Sequence, residues 1–197
     1  MKLGGVFASA AAAALLTFST HAAAATELVT NGGFETGDFT GWTLTGNTSF
    51  TDVVDSSVSI WPVVSGVYTA RLGPPFSPGT LSQNLATSSG VAYVISFDLA
   101  NGSGIPTSFS ADFGGDNLLS LSNPPSFDFT HYSFVETASG PTTLSFTYQQ
   151  DSTYLFLDDV SVSAVVPEPT AWALLITGFL GVGLALRGAR RKAAFAA

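Results

Sequence analysis

Two adjacent acids, Asp158-Asp159, sit among apolar and hydroxyl residues near the end of a Val-, Thr- and Ser-rich stretch. Glycoside hydrolysis needs two carboxyl groups facing one bond. Neighbouring residues of a strand point to opposite faces, so this pair is expected not to flank a single glycosidic bond; pairs of distant acids stay open. His131, beside Phe127, Phe129 and Tyr132, is the sole histidine outside the first 25 residues. Any serine triad would rest on it alone, and an edge or surface position without a catalytic partner is expected for it. The chain has no cysteine, which removes disulfides, thiol catalysis, iron–sulfur clusters and Cys-based zinc sites together. Two acids and glycines between Asp112 and Asp116 lack the twelve-residue EF-hand pattern and read as an acidic turn. Most enzyme classes are thus excluded, and a non-enzymatic chain is the expectation.

Two tryptophans allow different readings. Trp42 follows Gly41 and is either a core anchor or a sugar platform. Trp61-Pro62 lies in a loop-like stretch from Ser56 to Ser65, where an exposed indole would either stack on the apolar face of a sugar or pack as a satellite of the core.

These residues sit in a chain of 197 residues that divides into three parts: 1–25, 27–164 and 165–192. Lys2, the apolar and Ala-rich stretch from Val6 to Phe18, and the small residues Ala22 to Ala25 are the marks of a cleaved secretory signal. The formal charge of -8 conceals an asymmetry: between the two ends Arg71 stands alone against thirteen acids, a balance of -12. Such a surface repels phosphate, and no nucleic-acid partner is expected.

Residues 27–164 are punctuated by Gly and Pro and show no sustained helical period, which predicts an all-β domain. Strands are expected at 43–45, 49–54, 67–72, 81–86, 92–99, 108–113, 132–137, 142–148 and 154–163. Alternation assigns Tyr93, Ile95, Phe97 and Leu99 to one core face, and likewise Leu144, Phe146 and Tyr148. On the last strand Phe156, Val160 and Val162 form such a set, and Asp158 shares their parity. An inward carboxylate must be compensated. Short antiparallel strands and about 140 residues suit a two-sheet jelly-roll sandwich.

The C-terminal part runs Val166-Pro167-Glu168-Pro169, then Trp172 within a charge-free stretch of 17 residues over 170–186, then Arg187, Arg190, Arg191 and Lys192 in a basic tail over 187–192. From Val165 to Lys192 this resembles a PEP-CTERM sorting signal, with Ala193 to Ala197 extending past the usual stop. The stretch is expected to form a transmembrane helix of about 25 Å with its basic end inside. The resemblance implies recognition by an exosortase, a membrane transpeptidase-like enzyme of Gram-negative bacteria. It also implies an intermediate anchored in the inner membrane and a destination at the cell surface or in the exopolysaccharide of a biofilm matrix.

Four segments resemble carbohydrate-binding-module jelly rolls of the galactose-binding-like kind: Asn31-Gly32-Gly33-Phe34-Glu35 leading to Gly41-Trp42, Ser65 to Gly73, Leu81 to Leu85 with Tyr93 to Phe97, and Leu157-Asp158-Asp159-Val160-Ser161-Val162. That resemblance implies a structural Ca2+ ion between Glu35 and Asp158, with Asn31 and Gly33 as backbone contributors; carboxylate and carbonyl oxygens are the donors calcium prefers. The alternative is that Asp158 accepts backbone hydrogen bonds and binds no metal. The resemblance also implies that Trp42 is buried as a core anchor, and it implies glycan association as the function, with Trp61 a candidate contact by its loop position alone. The rivals to that function are a passive acidic matrix protein and, more distantly, a small glycoside-active enzyme.

Overall fold

A computed structural model describes residues 25–55, 63–73, 75–165 and 169–194. The secretory signal, Trp61, Pro167 and Glu168 lie outside the described residues.

Residues Ala24–Val166 make one compact unit. Among the described residues it has ten strands: β1 (Thr43–Gly46), β2 (Asp52–Asp55), β3 (Tyr68–Leu72), β4 (Gly79–Leu85), β5 (Ala92–Asn101), β6 (Thr107–Phe113), β7 (Asp116–Ser122), β8 (Phe127–Thr137), β9 (Thr142–Gln150) and β10 (Leu155–Ala164). They pair antiparallel into two five-stranded sheets, ordered β1-β4-β9-β6-β7 and β2-β3-β10-β5-β8. This is the jelly-roll sandwich read from the sequence. Strand β7 was not among the expected strands: the turn takes Gly114 and Gly115, both at positive φ, and pairing resumes at Asp116. Its Asn, Leu and Ser residues have weak strand preference, and it forms as an edge held by β6 alone.

The core lies where alternating residues of both sheets meet. Ile95, Phe97 and Leu99 from β5 and Leu144, Phe146 and Tyr148 from β9 are fully buried. Phe97 is the hub, with the rings of Phe109, Tyr132, Phe134 and Phe146 at centroid distances between 5.2 and 6.2 Å. Trp42 caps one side as expected, lying 5.8 Å from Phe34 with its indole N–H donated to the carbonyl of Asn31.

Strand β10 corrects the parity expected for the last strand. A bulge between Asp158 and Ser161, with Asp159 at φ 47°, resets the alternation. Leu155, Leu157, Val160 and Val162 enter the main core. Phe156 turns to the other face of its sheet, in a smaller cluster with Val54, Ala100, Phe129 and Tyr154, and Asp158 shares that face.

The helix α1 (Pro169–Ala194) belongs to a separate unit. Pro169 opens it, a position where the missing amide proton costs nothing. Among the described residues no helix is long and apolar enough to cross a membrane. The transmembrane span expected over 170–186 finds no support among these residues. The helix also continues through the basic cluster.

Candidate functional site

Three carboxylates from opposite ends of the domain grip one loop. Glu35 Oε1 accepts the backbone N–H groups of Val67 and Tyr68, each at 2.9 Å. Asp158 Oδ2 accepts the N–H of Val64 at 2.9 Å, and Asp159 Oδ1 accepts the hydroxyl of Ser65 at 2.6 Å. The loop from Val64 to Tyr68, which follows the Trp61 segment in the chain, is thereby tied to both termini of the sandwich.

Glycines make the close approach feasible. A Cβ on Gly32 would stand 1.9 Å from the backbone oxygen of Val160, and one on Gly66 would stand 2.3 Å from the carboxyl carbon of Glu35. Gly33 sits between the acids: a Cβ there would lie 3.5 Å from Asp159 Oδ1 and 3.9 Å from Asp158 Oδ1. The expectation that Asp158 and Asp159 point apart is therefore corrected, because the bulge brings both carboxylates to one side of Gly33. They still do not form a glycosidase dyad, since Asp158 has no exposed surface.

Asp158 is the electrostatic centre of this clasp. Burial pushes its carboxyl up to about 6, and the charge of Asp159 adds to that; hydrogen bonds from the Val64, Asp159 and Ser65 backbone pull the other way. Asn31 has two structural tasks. Its side-chain amide donates to the carbonyls of Asp38 and Thr40, and its own carbonyl accepts Trp42 Nε1–H and Phe34 N–H. The clasp offers oxygen donors of the kind a hard cation takes. Among the described residues no three acidic or histidine side chains group so as to hold a metal, so an ion here would depend on backbone oxygens as well.

The outer face of the β10 sheet carries a second set of polar groups. Arg71 makes two hydrogen bonds to Asp52, at 2.8 and 2.6 Å, and its guanidinium lies 4.6 Å from the centre of the Tyr154 ring. Two residues along the sheet, His131 Nδ1 meets Asp98 Oδ2 at 3.1 Å across the β5–β8 pair. His131 occupies the exposed edge position expected, but with a carboxylate partner that the sequence did not reveal. Asp98 and His131 are 33 residues apart, and β8 begins five residues earlier than its pattern suggests.

The chain matches no family model and no curated protein. Among solved structures it is similar to a family 61 carbohydrate-binding module in complex with β-1,4-galactotriose, with a TM-score of 0.57 and 21% identity over 71% of this chain and 99% of that one. It is also similar to the enzymatically active domain of tailspike protein 4 of bacteriophage CBA120, with a TM-score of 0.53 and 15% identity over 71% of this chain and 21% of that one. A third is a family 22 carbohydrate-binding module of Clostridium thermocellum xylanase 10B, with a TM-score of 0.50 and 14% identity over 72% of this chain and 96% of that one. The fold is therefore that of a carbohydrate-binding-module sandwich.

Proposed function

We propose that residues 27–164 form a non-catalytic module that associates with glycans outside the cell. The observation that carries this reading is the match of the whole sandwich to nearly the full length of the galactotriose-bound module. The acids support a non-catalytic role, because those of the clasp are engaged in holding a loop and Asp158 is sealed from any substrate. If a ring against a sugar is worth what a ring against a ring is, about 1 kcal/mol, a single module would bind weakly and many copies would act together. Affinity electrophoresis of the full chain through gels of different polysaccharides, the producer's exopolysaccharide included, tests this. Retardation by one polymer is expected. Uniform migration in every gel would favour the passive matrix protein.

The Glu35–Asp158 clasp is proposed to take a Ca2+ ion, with Gly33 and Asn31 contributing from the backbone. Support comes from the oxygen-only donor set and from a buried charge that no basic side chain offsets among the contacts described. The ion would offset the charge of Asp158 and tie the termini together. A rise of several degrees in melting temperature with millimolar calcium, absent in Asp158→Asn, is expected; equal melting in calcium and in EDTA would refute it.

Export and sorting through residues 165–192 are supported by the sequence resemblance alone. An exosortase would recognise Pro167-Glu168-Pro169 and release the domain to the surface or matrix. Mass spectrometry of the surface form is expected to show a chain shortened near that motif, and a full-length C-terminus would contradict it.

A further inference from the structure

Where β2 begins, β3 ends and β9 passes into β10, the sandwich carries a cleft of about 290 Å³. Its apolar lining comes from Phe50, Phe76 and Tyr154, and its polar lining from Asp151, Ser152 and Thr153. Both phenylalanines stand largely in solvent, Phe76 at 87% and Phe50 at 63% exposure. Both stand on left-handed backbone, with φ of 71° and 55°, as does Ser152 at 74°. Bulky residues seldom adopt that conformation. Neither burial nor backbone preference accounts for two rings held out into water in this way, and such outliers gather where a site is being shaped.

The third ring is fixed from behind. Gly73 lets Tyr154 lie against the strand, since a Cβ there would stand 2.5 Å from Tyr154 Cδ1. Arg71 covers the ring at 4.6 Å and is itself held by two bonds to Asp52. The polar side is equally firm. Gln150 is buried, donates to Asn101 Oδ1 at 2.7 Å and accepts the hydroxyl of Thr107, while Thr153 Oγ1 accepts the N–H of Ser103 at 3.1 Å.

We infer that this cleft is a pocket for one neutral pyranose ring, whose apolar face meets Phe50, Phe76 and Tyr154 and whose hydroxyls meet Asp151, Ser152 and Thr153. The inference rests on the glycan-association reading and names its site. Ring faces against aromatic side chains, with a few polar groups at the edge, are what a pyranose matches. A cleft of this volume lies at the small end of ligand sites, which suits one ring better than a long stretch of polymer. Asp151 and the surrounding acidity disfavour uronic or sulfated sugars, and Arg71, already paired with Asp52, does not offset them.

The test is affinity electrophoresis of the full chain in gels of β-1,4-galactan, xylan and polygalacturonate, with sedimentation measured alongside. The wild type is expected to be retarded by a neutral polymer and not by polygalacturonate. Phe76→Ala and Phe50→Ala should each weaken retardation about tenfold, and Phe76→Tyr and Val135→Ala, the latter on the far strand β8, should leave it unchanged. Should Phe50→Ala misfold, Phe76→Ala carries the test, its ring being almost wholly in solvent. Retardation equal in wild type and both alanine variants would overturn the pocket and leave the glycan reading standing. No retardation of the wild type would overturn both. Loss of a dimer in the alanine variants, with retardation unchanged, would assign the rings to a second copy of the chain and overturn the inference.

Discussion

Asp158 takes its character from position: a carboxylate without exposed surface, set beside a second acid. Its folded-state value of about 6 lies above its ordinary 3.8, so between the two the folded chain holds the extra proton. That contribution to stability is full below about pH 4 and is lost as pH rises through 6. With screening through the loop allowed for, it amounts to about 1–3 kcal/mol. Urea unfolding in EDTA at pH 4 to 7 should show this fall, and Asp158→Asn should flatten it; an unchanged slope in the variant would place the pH dependence elsewhere. Gly32 is a steric case. Gly32→Ala would push a methyl to 1.9 Å from the backbone of Val160 and is expected to cost 3 kcal/mol or more, on the scale of the larger single-site losses. Gly90→Ala meets no atom within 4 Å and suffers only its φ of 78°, about 1 kcal/mol. Thermal melts of the two variants separate packing from backbone strain.

At the scale of elements, most strands were legible because their period of two survives burial on one face. Strand β5 shows it plainly, with Tyr93, Ile95, Phe97 and Leu99 all in the core. Phe97→Ala removes the ring on which four others converge, and a loss of about 3–5 kcal/mol is expected in chemical denaturation. A loss under 1 kcal/mol would mean that the core recloses around the gap. Two features escaped the reading. Strand β7 lacks strand-forming residues and exists because β6 offers it a partner. The β10 bulge escaped because alternation counts residues and cannot register one that the partner strand skips. That single residue moved Phe156 out of the main core and turned Asp159 toward Gly33.

The molecule as a whole is held by pairings between distant parts of the chain. Leu155 pairs with Leu72 on one side and Asn101 on the other, and Glu27 near the start accepts the N–H of Val162 and the hydroxyl of Ser161 near the end. Such topology folds slowly, in milliseconds to seconds. Stopped-flow refolding should fall in that window, and a microsecond phase accounting for the full amplitude would contradict this account of the topology.

The sequence by itself determined the all-β class, the burial of the β5 and β9 faces, the acidity of the domain and the helix-forming C-terminal stretch. These follow from composition and short-range periodicity, which every segment carries within itself. Only the tertiary structure decided which groups meet. Asp158 and Val64 are 94 residues apart, Asp98 and His131 are 33 apart, and the end cleft joins three separate loops. No local pattern encodes such distances, because they arise when two sheets close on a shared core and carry their loops with them.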